Sequence, residues 1–388
     1  MARLEEICSL ITDGSHFSPE DEGVGYPMFS VKDMTPNGFN ISGCKKIGEE
    51  AYKKLVANGC KPLNDDVVVA KDGSYLKTAF VIKGNPEITL LSSIAILRPK
   101  IDLVVPEYLS YFLKSDAVYR TVSLNYITGT ALKRIILKGI RKIEVDLPDI
   151  GEQEQRAQRL SKVDYLCQLR KQQLAKLDEL VKARFVEMFG DPVTNPKGYE
   201  KYKLENLARK ISDGVHSKPD YTETGRPFLS VVNINKGVIN FKNCKYVSED
   251  AYQKMIKSTH PERGDVLYTK VGATYGIPAY VDTDIAFCLY VSVCLIKPKR
   301  EVINPRFLSL SMEMPYVKHQ ADRRIKGIGV PDLHLNQISE FEILCPPLKE
   351  QDIFIYFVER LDEEKRVVQQ SLDKLELMKK ALMQEYFG

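Results

Sequence analysis

The sequence predicts an α+β chain of two similar globular domains separated by a pair of long antiparallel coiled-coil helices. Three observations predict this fold. An internal repeat covers nearly all of the 388 residues. Two segments lack proline and glycine over 36 consecutive positions and carry a seven-residue apolar period. Short β-rich runs and short helical stretches alternate in the rest of the chain, which is typical of α+β domains.

The repeat is colinear, so it describes the whole architecture. LITDGSHFSP at 10–19 matches KISDGVHSKP at 210–219 with an offset of 200, and GYPMFSV at 25–31 matches GRPFLSV at 225–231. The offset later becomes 199 and then 198, and both halves end in Phe-Gly. Such self-similarity indicates a tandem duplication. The predicted segments are a first globular domain 1–150, a central long helix 151–189, a linker 190–200, a second globular domain 201–348 and a C-terminal long helix 349–388.

The two long helices follow from their apolar period. In the segment from Gln153 to Met188, and again from Gln351 to Tyr386, apolar residues recur every three or four positions in the same heptad phase. A stripe this narrow favours packing of helix on helix. The alternative is two solvated helices that each cover a separate core. GDPVTNPKGY at 190–199 breaks the first helix and forms the linker.

The composition is that of an ordinary globular protein. Hydrophobic residues make up 44% and charged residues 28%, and the net charge of +4 permits a nucleic-acid partner without requiring one. No run of about eighteen apolar residues occurs, and acids occupy the N-terminal stretch where a signal peptide has its apolar core. We therefore expect a cytoplasmic protein with no membrane partner. The eight cysteines are scattered without zinc spacing, so no metal site is expected.

Three groups of residues are candidates for DNA contacts, and the first lies in the repeated DGxH loops. His16 and His216 stand at equivalent positions, and Lys218 follows the second. The recurrence of this histidine in both halves is consistent with a binding role. The alternative is a structural turn that both halves inherited from a common ancestor.

The second group lies in AKDGSYLKTAF at 70–80 and TKVGATYGIPAY at 269–280, each of which follows a β-rich run. Lysine and hydroxyl side chains in such loops can reach base edges, while tyrosine packs on sugar or base. The alternative is a hairpin that packs its tyrosine on its own sheet. The candidates are Lys71, Ser74, Tyr75, Lys77, Lys270, Thr274 and Tyr275.

The third group consists of basic clusters near the end of each globular domain. Five cations fall within residues 133–142, and no acid lies between Val118 and Glu144 to offset them. A phosphate-contacting edge explains this better than a generic solvated face. The candidates are Lys133, Arg134, Arg323, Arg324 and Lys326.

Signatures of catalysis are missing from the sequence. It contains no GxxxxGK[ST] phosphate loop, no HExxH zinc helix and no GxSxG nucleophile turn. The sequence also lacks the Asn-Pro-Pro-aromatic or Asp-Pro-Pro-aromatic element, and the glycine-rich cofactor loop beside it, that methyltransferases usually have. We therefore predict no catalytic residues. A nuclease with an unrecognised active site and a scaffold that binds proteins are the alternatives.

In their order and repetition, these motifs resemble those of the DNA specificity subunits of type I restriction-modification systems. The resemblance rests on the duplicated DGxH, on GRPFLSVVNINKG at 225–237, on GDVLYTKVGATYG at 264–276 and on PPLKEQ at 346–351. Each motif alone is weak, but together they cover essentially the full length. The first half has PDIGEQ at 148–153 where the second has PPLKEQ. Because the halves differ in this way, the family's contact residues can be assigned to positions of this chain only loosely.

The resemblance implies that the globular domains are target recognition domains, that each reads one part of a split DNA site, and that the long helices hold them apart. It also implies double-stranded DNA, methyltransferase (modification) subunits and restriction/translocase subunits as partners. This chain would be non-catalytic and would hold no cofactor. S-adenosylmethionine, ATP and Mg are expected in the partner subunits.

Overall fold

The computed structural model describes residues 1–73, 75–128, 133–235, 237–325 and 329–388. The chain divides into two compact units. The first unit contains Met1–Gln172 and Gln369–Gly388, and the second contains Gln173–Val368. Each unit therefore combines one globular domain with a part of both long helices.

The elements are numbered in chain order. The strands before the first long helix are β1 (Ala2–Arg3), β2 (Cys8–Asp13), β3 (Tyr26–Phe29), β4 (Met34–Thr35), β5 (Gly38–Phe39), β6 (Lys45–Ile47), β7 (Val67–Ala70), β8 (Ala79–Val81), β9 (Thr89–Leu90), β10 (Ile94–Pro99), β11 (Ile127–Thr128), β12 (Arg134–Ile135) and β13 (Glu144–Val145). The helices there are α1 (Leu4–Ile7), α2 (Glu49–Ala57), α3 (Pro106–Leu113), α4 (Asp116–Asn125) and α5 (Leu137–Arg141), with a 3-10 turn at Val31–Asp33.

The first long helix, α6 (Ile150–Phe189), leads into the second set of elements. The strands are β14 (Lys201–Lys203), β15 (Ala208–Asp213), β16 (Arg226–Leu229), β17 (Ile234–Asn235), β18 (Val238–Ile239), β19 (Lys245–Val247), β20 (Val266–Thr269), β21 (Pro278–Tyr280), β22 (Cys288–Leu289), β23 (Val293–Pro298) and β24 (Glu342–Leu344). The helices are α7 (Leu204–Leu207), α8 (Glu249–Met255), α9 (Pro305–Glu313), α10 (Pro315–Arg324), α11 (Leu335–Ser339) and α12 (Leu348–Phe387), with a 3-10 turn at Val231–Asn233.

Both units contain the same two main sheets, which confirms the predicted duplication. In the first unit, an antiparallel sheet has the order β2-β10-β7-β8, and a three-stranded sheet has the order β6-β3-β9 with β3 and β9 parallel. The second unit has β15-β23-β20-β21 and β19-β16-β22 in the same arrangement. Strands β7 and β20 are buried at every position, as expected for continuous apolar runs in the middle of a core.

Both predicted long helices are confirmed, and they pack against each other within each unit. In the first unit the start of α6 meets the end of α12, where Lys379 Nζ lies 2.5 Å from an Asp164 carboxylate oxygen. In the second unit the end of α6 meets the start of α12, where Lys365 lies 2.7 Å from Asp178. The pairing is therefore antiparallel in each unit.

A buried glutamine anchors the start of each long helix to its globular domain. The Gln153 side chain accepts a hydrogen bond from the Val105 N–H at 2.9 Å and donates to the carbonyls of Leu103 and Pro148 at 3.1 and 2.9 Å. Its counterpart Gln351 makes the same set in the second unit. Because a buried amide is stable only when its polar atoms are paired, this bonding explains why both halves carry Glu-Gln at this point.

The core of each globular domain is completed by the C-terminal end of a long helix. In the first unit, Phe387 of α12 packs against Tyr108 and Phe112 of α3. In the second unit, Phe185 and Phe189 of α6 form an aromatic cluster with side chains of α9 and α12. None of the helices in the described part of the chain combines the length and the apolar character that a membrane crossing requires.

Candidate nucleic-acid interface

In the first unit, two of the predicted loops meet at a buried ion pair. Lys71, which directly follows β7, places its ammonium 2.8 Å from a carboxylate oxygen of Asp13, at the end of β2. The two side chains are only 8% and 11% exposed. An ion pair that is buried in this way is costly to break, because one charge would be left without a partner. The Lys71–Asp13 pair therefore fixes the DGSH loop to the central sheet.

The close packing of this loop explains its glycine. A Cβ at Gly14 would lie 2.1 Å from the carbonyl oxygen of Leu90 in β9, so no side chain fits there. The next residue, Ser15, donates its N–H to the same carbonyl at 2.7 Å. His16 then points outward, 78% exposed, with its Nε2 3.5 Å from Asp13. Asp13 and Gly14 thus fix the loop to the sheet, and the His16 side chain is exposed to solvent.

The basic segment joins the same cluster through the backbone. The Gly73 N–H donates to the Lys133 carbonyl at 2.8 Å, and the Arg134 guanidinium lies 3.7 Å from Asp72. All three candidate groups of the first half are therefore brought together. We call Asp13, His16, Lys71, Lys133 and Arg134 the first loop cluster.

The second unit repeats the buried pair and the outward histidine. Lys270 is 6% exposed and lies 3.4 Å from Asp213 and 3.8 Å from Asp332. His216 is 77% exposed, with Nε2 3.7 Å from Asp213. Burial raises the pKa of the Asp213 carboxyl, and the charge of Lys270 opposes this rise. A Cβ at Gly214 would lie 2.3 Å from the carbonyl oxygen of Leu289, so the glycine is required here too.

The two units present different chemistry on this shared backbone frame. The Gly272 N–H donates to the Pro331 carbonyl at 2.9 Å, in the bond that Gly73 makes to Lys133 in the first unit. Asp332 then stands where the first unit has Arg134 and pairs with Lys270 instead of with a loop aspartate. A Lys-Arg pair is thus replaced by Pro-Asp, which reverses the local charge. We call Asp213, His216, Lys270, Pro331 and Asp332 the second loop cluster.

The candidate tyrosines occupy different environments. Tyr75 is buried at 4% exposure, stacks on Tyr119 with ring centroids 5.3 Å apart, and lies 3.1 Å from the Ser123 hydroxyl. The hydrogen bond with Ser123 is the main cause that lowers the pKa of Tyr75. The Tyr75 side chain therefore packs in the core of the first unit against α4. Lys77 is exposed and lies 5.7 Å from the centre of the Tyr119 ring.

Tyr275 is half-buried and takes part in a polar cluster with α10. Its hydroxyl donates to Asp322 at 2.5 Å, and the Lys318 ammonium lies 3.3 Å from the ring centre and 2.6 Å from the same carboxylate. The hydrogen bond from Lys318 and then that from Tyr275 lower the pKa of Asp322. The neighbouring Thr274 is exposed. This cluster holds one aromatic face and one ammonium beside the second loop cluster.

The basic residues of the second half lie elsewhere than those of the first. Arg323 is exposed at the end of α10, while Arg324 is half-buried, donates to the Gln320 carbonyl at 3.0 Å and lies over the Phe341 ring. Their positions correspond to the end of α4, not to Lys133 and Arg134. Lys218 is exposed, with its ammonium 5.8 Å from the centre of the Tyr221 ring.

Ser74 and Lys326 lie outside the described residues. The assignment of the candidate residues as DNA contacts stays a prediction. The geometry also indicates a structural role for Lys71 and Lys270, because their ion pairs with Asp13 and Asp213 position the DGxH loops.

Sequence reasoning missed the partners of these lysines. Asp13 and Asp213 were not singled out, although both belong to the repeated motif, and that repetition was the signal available. Lys45 was missed as well: its ammonium binds the Ser18 hydroxyl and the Pro19 carbonyl at 2.6 and 2.7 Å and so closes the first DGxH loop. Among the described residues, no group of His, Cys, Asp or Glu is arranged to hold a metal ion.

These features define a class of protein, namely a tandem recognition protein in which two copies of one α+β domain carry different side chains on the same loop frame. The family identity follows from comparison with known sequences. The family described as the type I restriction modification DNA specificity domain matches residues 1–179 and 196–377. The chain belongs to this family, as its motifs predicted.

Individual relatives agree with the family match. The chain is 22% identical over 408 residues to a protein of Methanocaldococcus jannaschii assigned as the MjaX specificity subunit of a type I restriction enzyme, covering 98% of this chain and 90% of that protein. It is 20% identical over 378 residues to the EcoBI specificity subunit of Escherichia coli, covering 89% and 75%.

Solved structures share the fold. The crystal structure of the S subunit of a type I restriction-modification system from M. genitalium has a TM-score of 0.57 at 15% identity and covers 100% of this chain and 95% of that chain. A structure from a study of complex assembly and conformational transition of the type I system has a TM-score of 0.56 at 17% identity and covers 100% and 96%.

Proposed function

We propose that this chain is the non-catalytic DNA specificity subunit of a type I restriction-modification system, and that its two units read the two parts of a bipartite site in double-stranded DNA. The family match supports the general function. The division of labour between the units rests on the structure of the two loop clusters.

The observation that carries the proposal is the shared frame with exchanged side chains. Both units fix a DGxH loop by a buried lysine-carboxylate pair and turn the histidine outward. Next to this constant frame, the first unit has Lys133 and Arg134 where the second has Pro331 and Asp332, as their equivalent backbone contacts show. A protein that reads two different half-sites needs a constant scaffold and variable contacts, because phosphate contacts position the domain while base contacts specify the sequence.

The catalytic steps belong to partner subunits in this proposal. Methyltransferase subunits modify adenine and restriction/translocase subunits cut the DNA, and these partners hold S-adenosylmethionine, ATP and Mg. The system acts on cellular DNA, so the protein works in the cytoplasm.

The proposal is tested by binding and cleavage measurements on duplex DNA. The purified chain, with and without its methyltransferase subunit, is titrated with DNA at several salt concentrations. Binding that weakens steeply with salt is expected, because phosphate contacts release counterions, and the methyltransferase subunit should increase both affinity and sequence preference. We expect no cleavage by the chain alone in the presence of Mg²⁺.

Two results would contradict the proposal. Binding that is insensitive to salt would indicate a protein scaffold instead of a DNA reader. Cleavage of DNA by the chain alone, lost on addition of a chelator, would indicate a nuclease.

A further inference from the structure

The first unit contains a cavity of about 460 Å³ with four lysines in its wall. It lies where the turn between α3 and α4 faces the last part of α12. The lysines are Lys77, Lys114, Lys379 and Lys380. Two acids, Asp116 and Glu376, also line it, but Glu376 is paired with Lys171 at 2.8 Å. The cavity is within the size range of small-molecule sites.

Lys114 is the most confined of these lysines. Its ammonium lies 4.5 Å from the centre of the Tyr111 ring, and no carboxylate of the described residues lies within 4.0 Å of it. The carboxylate of Asp164 already binds Lys379 and the Tyr111 hydroxyl. Burial, and after it the charge of Lys379, lower the pKa of Lys114 to about 8, while Asp164 opposes this change. A half-buried cation is therefore left without an anion.

The second unit shows what the same position looks like when an anion is supplied by the protein. Helices α3 and α9 begin at Pro106 and Pro305, an offset of 199, so Glu313 is the counterpart of Lys114. Burial raises the pKa of the Glu313 carboxyl, and Lys182 is the cation that opposes this most strongly.

The long helices differ at this place as well. Their offset is 198, so Lys182 is the counterpart of Lys380, and Val181 is the counterpart of Lys379. The three lysines Lys114, Lys379 and Lys380 thus correspond to Glu313, Val181 and Lys182, and Lys365 is a second cation near Glu313. The duplication therefore acts as an internal control, since one copy of the junction has a glutamate where the other has Lys114.

We propose that the cavity binds a phosphate group, whose oxygens supply the negative charge that Glu313 supplies in the second unit. The oxygens of one phosphate group accept charge-assisted hydrogen bonds from several ammonium groups at once. The carboxylate of Asp164, in contrast, binds Lys379 but lies more than 4.0 Å from the Lys114 ammonium. The phosphate belongs either to the DNA backbone or to a free phosphate-bearing molecule. The DNA source rests on the proposed function, and the free source does not.

The first experiment measures binding of inorganic phosphate to the full-length chain by isothermal titration calorimetry without DNA, at constant ionic strength. We expect binding by the parent chain and a loss of affinity of about tenfold to a hundredfold in Lys114→Glu, which copies the residue of the second unit and places a negative charge in the cavity. Lys114→Gln is the second variant if the first does not fold. Lys53→Glu, a change of the same charge on the exposed face of α2, is the control and should bind phosphate like the parent.

The second experiment identifies the source. The salt dependence of duplex DNA binding is compared between parent and Lys114→Glu. Loss of phosphate binding together with a slope reduced by about one phosphate contact assigns the cavity to the DNA backbone. Loss of phosphate binding with an unchanged slope assigns it to a free phosphate-bearing molecule.

Phosphate binding that is absent from the parent, or equal in parent and Lys114→Glu, would overturn the inference. The parent's own DNA titration separates this outcome from failure of the proposed function. A chain that binds DNA but not phosphate refutes the cavity alone, and a chain that binds phosphate but not DNA refutes the DNA-reading role alone.

Discussion

Replacing Gln153 by leucine should selectively destabilise the first unit, because this side chain joins α6 to the globular domain. The amide is 1% exposed and uses both its oxygen and its nitrogen. Leucine has a similar size but can neither accept the hydrogen bond from the Val105 N–H nor donate to the carbonyls of Leu103 and Pro148. Three backbone groups would lose their partner in one substitution, and of these the carbonyl of the exposed Leu103 can bond to water instead.

The size of the effect follows from these three groups. An unsatisfied buried polar group costs roughly 1–3 kcal/mol, and because only the Val105 N–H and the Pro148 carbonyl belong to residues that are partly buried, about 2–4 kcal/mol is the expected total. For a unit of this size, each kcal/mol lowers the melting temperature by about 2–4 °C. We therefore expect the melting temperature of the first unit to fall by roughly 5–15 °C.

Differential scanning calorimetry of the full-length chain measures this change. Gln155→Leu is the matched control, because Gln155 lies two residues further along α6 and is exposed; a surface substitution of this kind changes stability by within about 0.5 kcal/mol. Gln351→Leu should destabilise the second unit by a similar amount. If Gln153→Leu were as stable as Gln155→Leu, the anchoring role of the buried amide would be refuted.

Three further predictions concern DNA contacts and the helix pair. Changing both Lys133 and Arg134 to alanine should weaken binding to all duplexes alike and flatten the salt dependence by about two contacts in a DNA titration; relaxed specificity with an unchanged slope would contradict this. Tyr275→Phe should loosen base preference in one half-site only, measured by selection from a randomised duplex library, and changes in both halves would count against it. Lys365→Leu should raise the melting temperature slightly. Leucine adds apolar surface to the helix pair, whereas the ion pair that is lost, with the largely exposed Asp178, is worth at most about 1 kcal/mol; a lower melting temperature would show that this pair is needed.

The long helices could be predicted from the sequence because their signal is local. The predicted limits Gln153 and Met188 lie within three residues of the ends of α6 at Ile150 and Phe189. An apolar residue at every third or fourth position determines which face is buried, and the absence of proline and glycine permits continuity. The repeat then transferred the same prediction to α12.

The environment of individual loop residues could not be predicted in this way. Lys71 is a loop lysine in a polar stretch, but its partner Asp13 lies 58 residues earlier, and only the pairing of β2 and β7 with β10 brings the two together. The charge pattern of the sequence puts Arg323 and Arg134 in one group of candidates. In the structure they occupy positions that are not equivalent, since Arg134 lies in β12 and Arg323 at the end of α10. A cluster of cations in the sequence shows only the local composition. Which residues of the two units are structurally equivalent depends on the backbone hydrogen bonds of the folded loops.

The central claim is that each unit reads one part of a split DNA site. It is tested most directly by mapping methylated adenines by long-read sequencing in cells that carry this chain and its methyltransferase subunit. The account predicts one motif of two specified blocks separated by unspecified bases, and substitutions confined to residues 269–280 should change one block and leave the other intact. A single continuous motif, or a change of both blocks by these substitutions, would contradict it.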